Sequence, residues 1–219
     1  MEGFLPTVAF TVFGVPIRDT VVATWALMAI LLVLAVVINR RKPTALEMLV
    51  DFINDLVSGI IGRPAVPYLA LLGTLAIFIA AANVVGVVPF LVSPTRDINT
   101  PLALALVVFF SVHYFGIRTK GLFRYLKEMA SPIFLLPLEI ISQISRTISL
   151  TLRLFGNIFS AELILAIVFL LVPLFVPLPL AGLGIFTGLL QAYIFTALAA
   201  VYIGAGIEAV ETGRKKEKG

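Results

Sequence analysis

Arg153 stands in the run Ser149-Leu-Thr-Leu-Arg-Leu-Phe-Gly-Asn157, deep inside sequence apolar enough to lie within a membrane. Beyond it toward the C-terminus comes one more charge, Glu162, and then 45 residues, 163–207, without Asp, Glu, Lys or Arg. An arginine at mid-bilayer depth costs ~2.5–3.5 kcal/mol on insertion scales. It cannot escape by losing its proton, because its pKa stays above ~12. A chain that keeps such a group must supply a counter-charge, and within a membrane that arrangement belongs by default to an ion pathway. The plainer alternative is a structural arginine paired with one fixed carboxylate.

Two carboxylates are placed to serve such a pathway. Glu139, Arg146 and Arg153 recur every seven residues. On a helix each is displaced only ~20° from the last, so the three line one stripe. Asn157 joins it four residues on, and Ser142, Ser145 and Ser149 flank it. Glu162 follows Arg153 by two and a half turns and lies on the opposite face. Two carboxylates at different depths, with a permanent cation between them, can act as two aqueous entrances that do not connect. A quieter reading pairs Glu139 with Arg146 along the helix and leaves Glu162 lining a polar gap. Gln191 is the one amide in the charge-free run, with Thr187 and Tyr193 near it. Its simplest partner is a polar group on the 139–162 helix. Asn83 is a similar lone amide, and His113 reads as a packed or interface-reaching histidine.

The elements that hold these residues must be membrane helices. Hydrophobic residues are 60% of the 219, charged residues 13%, and the mean hydropathy is +1.11. Soluble domains average ~45–50% apolar and ~25% charged. The long, continuous apolar stretches favour helices over the ten-residue alternation of a barrel. With no cysteine and one histidine, disulfides, thiolate sites and a histidine metal cluster are excluded, and no metal or cofactor is expected. The net charge of +4 gathers in short loops, where it reads as a topology signal and not as a nucleic-acid footprint. The N-terminus lacks the pattern of a cleaved signal peptide, so the first span is expected to direct insertion.

The expected architecture is an all-α membrane protein, a single integral domain over 1–219. A span at 20–39 ends in Arg40-Arg41-Lys42 and is broken by Pro43. An amphipathic surface helix follows at 44–62, opened by a capping box at Thr44-Ala-Leu-Glu47. Its apolar face is Leu46, Leu49, Val50, Ile53, Leu56, Val57 and Ile60, and its polar face carries Glu47, Asp51 and Asp55. Segments 68–92 and 100–117 read as a helical hairpin about the turn Ser93-Pro-Thr-Arg-Asp97, followed by a basic loop from Arg118 to Lys127. Two long helices, 132–171 and 181–210, complete the chain. A helix from 133 to 171 would be ~58 Å long against a hydrocarbon core of ~30 Å, so strong inclination is expected. Five membrane helices with the surface helix put 40–63, 118–127 and 214–218 on one side. Twelve of the Lys and Arg residues then share that side, and only Arg18 and Arg96 face the other. The positive-inside rule places the N-terminus outside and the C-terminus in the cytoplasm. Glu139 then lies toward the cytoplasm and Glu162 toward the exterior.

Leu152-Arg153-Leu-Phe-Gly-Asn157 with Glu162, then Leu190-Gln191-Ala-Tyr-Ile-Phe195, resembles subunit a of the F-type rotary ATP synthase, the ATPase A chain family. The Asn83…Pro89 segment and Thr95-Arg-Asp-Ile-Asn99 are also similar to that family, and the resemblance runs in order along nearly the whole chain. It implies that Arg153 is the stator arginine facing the carboxylate of the rotating c-subunit ring. It implies that Glu162, Asn157 and Gln191 belong to the outer half-channel, and Glu139 and Ser142 to the cytoplasmic one. Arg146 takes a basic position on the same helix. Where some members carry a histidine, beside the channel glutamate or on the last helix opposite it, this chain has Ala161 and Gly184, so Glu162 is expected to work with water, Asn157 or Gln191. The implied partners are the c ring, the subunit b stalk, other F1Fo subunits and the bilayer of a bacterial inner membrane. The implied activity is proton translocation without covalent catalysis. The rival readings are an ion-coupled secondary transporter and a structural anchor. The first predicts an internal repeat or matched broken helices, which are absent here, and the second has no use for Arg153 with two deep carboxylates.

Overall fold

The computed structural model describes residues 8–12, 15–41, 43–87, 93–129, 136–172 and 175–216. Two short strands, β1 (Val8–Val12) and β2 (Val15–Arg18), pair antiparallel and lead into α1 (Asp19–Arg41). Then come α2 (Pro43–Ile61), α3 (Val66–Val87), a single 3-10 turn at Pro94–Arg96, and α4 (Asn99–Lys120). A short α5 (Leu122–Met129), the long α6 (Leu136–Leu171) and α7 (Pro177–Lys216) complete the order. Among the described residues α1, α3, α4, α6 and most of α7 are long and apolar enough to cross a membrane. The chain is thus a helical multi-pass membrane protein with a small hairpin at its N-terminal end. That hairpin was not expected from the sequence.

α7 is the axis of the packing. Phe195, Ala199, Ile203 and Ile207 recur every four residues, and all are fully or almost fully buried. They form one cluster with Leu72 and Ile79 of α3, Val108 and Val112 of α4, and Leu150 and Leu154 of α6. Close approach depends on small residues in α7, the usual device where lipid gives no hydrophobic drive to helix association. A Cβ at Gly188 would stand 2.8 Å from Asn83 Cβ on α3, and one at Gly206 would stand 2.9 Å from Val112 on α4.

Several expected elements are redrawn. α2 begins at Pro43, one residue after α1, with proline at the first helical position, where its missing N–H is harmless. Thr44 therefore lies inside the first turn and is not the cap. Of the expected apolar face of α2 only Ile53 and Val57 are fully buried; with Ile61, which was not assigned to it, they sink into the core against α3 and α7. The helix is docked on the protein itself, while Leu49 and Val50 stay exposed. The two helices joined by the Pro94–Arg96 turn are not a packed hairpin. α3 lies along α7, and α4 lies along α6 and α7; the first two meet through the edge-to-face pair Tyr68–Phe115, with ring centroids 4.8 Å apart. The expected basic loop is helical. α4 runs to Lys120, Gly121 turns the chain at φ +82°, a conformation that glycine adopts without strain, and α5 follows. Residues 88–92, expected to close the first arm of the hairpin, and 132–135, expected to open the first long helix, lie outside the described residues. The second long helix starts at Pro177, four residues earlier than expected, and is extended to Lys216.

Candidate functional site

α6 buries one face and leaves the other open. Leu150, Thr151, Leu154 and Ile158 are its buried residues, while Leu138, Ile141, Ile148, Leu152 and Phe159 are exposed. Arg153 belongs to the open face. Among the described residues it makes no ion pair or hydrogen bond, so the chain carries a permanent cation on an apolar surface without its own counter-charge. On the neighbouring α7, Phe186, Leu190 and Tyr193 continue that apolar surface. The single-carboxylate pairing weighed for Arg153 is therefore not made among the described residues.

Glu162 and Asn157 meet elsewhere, as the two and a half turns between Arg153 and Glu162 require. They line a cavity of about 360 Å³ between the end of α3, the middle of α6 and the start of α7. Gly86, Gly156, Ser160, Ala161, Gly184 and Thr187 contribute to its walls. Ala161 and Gly184, the positions without histidine, both face this space, so their small size helps keep it open. Gln191 is not on the lining. It is buried one turn farther along α7, and its Nε2 has no partner among the described residues. The expected hydrogen bond from Gln191 to α6 is thus not made. Asn83 instead donates from Nδ2 to the Gly188 carbonyl at 2.8 Å, and it is this amide that ties α3 to α7.

The partner of Glu162 is Arg96. Its Nε lies 3.4 Å from Glu162 Oε2, and both side chains are largely withdrawn from solvent. Sequence reasoning did not assign Arg96 to the site. The signal was present, because Arg96 was one of only two cations assigned to the side toward which Glu162 was placed. The turn that carries it is well held. Ser93 Oγ donates to the Ala82 carbonyl at 3.2 Å. Asp97 accepts from Arg18 Nη1 at 2.7 Å and from Thr20 Oγ1 at 3.4 Å on Oδ2, and from the Asn99 N–H at 3.1 Å on Oδ1. Burial acts to raise the proton affinity of Asp97, but Arg18 and the Asn99 N–H outweigh it, and the carboxyl sits below its ordinary range.

At the other end of α6, Glu139 is half-buried and accepts from Gln143 Nε2 at 3.0 Å. Arg146 does not pair with it. The Arg146 guanidinium lies over the Tyr202 ring of α7, 5.3 Å from the centroid, a cation–π contact. Ser142 is half-buried one turn along α6 from Glu139. Tyr125 of α5 is buried near this end. Burial first, and the Glu139 charge second, push its phenol up. Gly116 gives the Tyr125 ring room, because a Cβ there would stand 2.6 Å from it. His113 is packed, with Nδ1 donating to the Phe109 carbonyl at 2.8 Å and its ring between Phe109 and Tyr125. The three charges thus stand in three places: Glu139 by α5, Arg153 on the open face, and Glu162 by the α3–α4 turn.

The family model for the ATP synthase A chain matches residues 21–204. ATP synthase subunit a 2 of a Bradyrhizobium species is 47% identical over 215 residues, covering 94% of this chain and 96% of that one. ATP synthase subunit a of Legionella pneumophila is 39% identical over 219 residues, covering 96% and 95%. The corresponding protein of Moorella thermoacetica is 38% identical over 200 residues, covering 87% and 91%. This helical membrane chain, matched over nearly its whole length, belongs to the ATP synthase A chain family.

Proposed function

We propose that this chain is the stator subunit a of the membrane Fo sector of an F-type ATP synthase, providing two offset half-channels to a rotating c ring. One observation carries the reading: Arg153 is exposed on an apolar face with no counter-charge among the described residues, while the two carboxylates stand apart on α6, Glu139 near α5 and Glu162 beside the Pro94–Arg96 turn. A cation so placed calls for a carboxylate from another subunit, and the ring is that partner. A proton passes from outside through the cavity of Glu162 and Asn157 and neutralises a ring carboxylate. The neutral group crosses the lipid face cheaply. After nearly a full turn the proton leaves toward Glu139 and Ser142 on the cytoplasmic side. Arg153 favours the ionised ring carboxylate and blocks passage between the two channels. The transmembrane potential supplies ~2.3 kcal/mol per charge per 100 mV. No covalent step falls to this chain. Its orientation is N-terminus outside and C-terminus cytoplasmic, in a bacterial inner membrane, with the subunit b stalk holding it against rotation. The family match removes the support for a free-standing transporter.

Replacing Arg153 with alanine tests this. Arg153→Ala should abolish proton-driven ATP synthesis in membrane vesicles, with the complex still assembled and able to hydrolyse ATP. Near-normal synthesis would sink the reading.

A further inference from the structure

The Arg96–Glu162 pair joins two elements 66 positions apart, and it is built in. The two side chains are only 15% and 17% exposed, with Nε and Oε2 3.4 Å apart. Gly86 lets the turn close over Glu162: a Cβ there would stand 2.9 Å from Ser93 Cβ and 3.8 Å from Glu162 Oε1. Asp97, the next residue, is clamped by Arg18. Among the described residues no other charged side chain lines the cavity that holds Glu162; its walls include Gly86 and Val87 on α3 and Gly184 and Thr187 on α7, with Asn157 on the same helix as Glu162.

We propose that Arg96 is a positioning residue of the outer half-channel: its guanidinium opposes the cost of burying the Glu162 charge, favours the carboxylate form at the cavity, and so sets the pH range in which that side delivers protons. This rests on the half-channel reading above. An opposite charge within ~4–6 Å favours ionisation of a carboxyl by ~1–3 pH units. A guanidinium does not give up its own proton in this range, so Arg96 acts through Glu162 and is not a carrier.

The test uses the whole complex in liposomes, with ATP synthesis followed against the pH of the compartment facing Glu162 and the total driving force held constant by a potassium diffusion potential. Arg96→Gln should move the midpoint of that profile to higher pH by about one unit or more, and Arg96→Lys should keep it near the parent. An unshifted profile in Arg96→Gln, or equal loss at every pH in both variants, overturns the proposal. Should Arg96→Gln fail to assemble, the Arg96→Gln/Glu162→Gln chain decides. Restored assembly means the bare carboxylate was at fault and supports the pairing; continued failure means Arg96 serves only the turn and overturns it. Arg153→Ala, run alongside, separates the two readings: if it makes ATP the half-channel reading falls, and if it does not, an unshifted Arg96→Gln profile defeats only the present inference.

Discussion

Asp97 shows how one buried side chain can fix a turn between two membrane helices. It gathers Arg18, Thr20 and the Asn99 N–H, and so ties the N-terminal hairpin, α1 and the start of α4 to the turn bearing Arg96. Its proton affinity is lower in the folded chain than in the unfolded one. The stability it adds is therefore fully present above the ordinary carboxylate pKa of ~3.9, and is lost as pH falls through the depressed folded value. Asp97→Asn should lower stability by about 1–3 kcal/mol near pH 7, seen as a lower Tm of the purified complex. The gap to the parent should close progressively as the pH is taken below ~4. A gap unchanged between pH 7 and pH 3 would mean the charge of Asp97 contributes nothing. The sequence disclosed Arg153, Glu139 and Glu162 because each is a rare charge in an apolar field. It did not disclose that Arg96 meets Glu162, since no periodicity encodes a contact between a loop and a helix so far along the chain. Nor could spacing tell that Gln191 is buried away from the cavity, because one turn of α7 decides it.

At the scale of elements, the long helices were legible and their neighbours were not. Unbroken apolar runs mark α1, α3, α4, α6 and α7 by length alone. Which of them touch depends on where small residues allow approach, and Gly188 against Asn83 is an instance. Gly188→Val should therefore drive α3 and α7 apart at a cost of about 1–3 kcal/mol. It also crowds the Asn83 Nδ2 bond to the Gly188 carbonyl. The check is the yield of assembled complex and its Tm; a parental yield and Tm would deny that this contact is tight. The hairpin β1–β2 and the helix α5 escaped notice because both are short and flank stronger signals: Val8–Val12 and Val15–Arg18 precede a full span, and Leu122–Met129 hides in a basic cluster. α6 has 36 residues and α7 has 40, ~54 and ~60 Å. Glu139 and Glu162 are thus separated by ~35 Å of helix axis, and an inclined α6 is what would bring both within reach of a ~30 Å core.

For the whole molecule, two ends are distinguished by what collects there. Arg18, Arg96, Asp97 and Glu162 share one end, and Tyr125 and Glu139 share the other. Because the chain has no native cysteine, single cysteines at 162 and 139 report their sides cleanly. A membrane-impermeant silver or thiol probe added outside should reach position 162 and spare 139. The opposite pattern would mean the topology is inverted, and labelling of both from one side would mean a single continuous pore. The exposed, unpaired state of Arg153 also bears on biogenesis. Among the described residues Arg153 has no counter-charge, so a chain inserted alone holds a bare cation in lipid, and Gln191 holds an amide nitrogen with no partner there. Both burdens fall on the newly made chain alone, and on the proposed reading a ring carboxylate would relieve the first. If this chain is the stator proposed above, the energetics favour an order of assembly in which the ring is complete before the chain is laid against it.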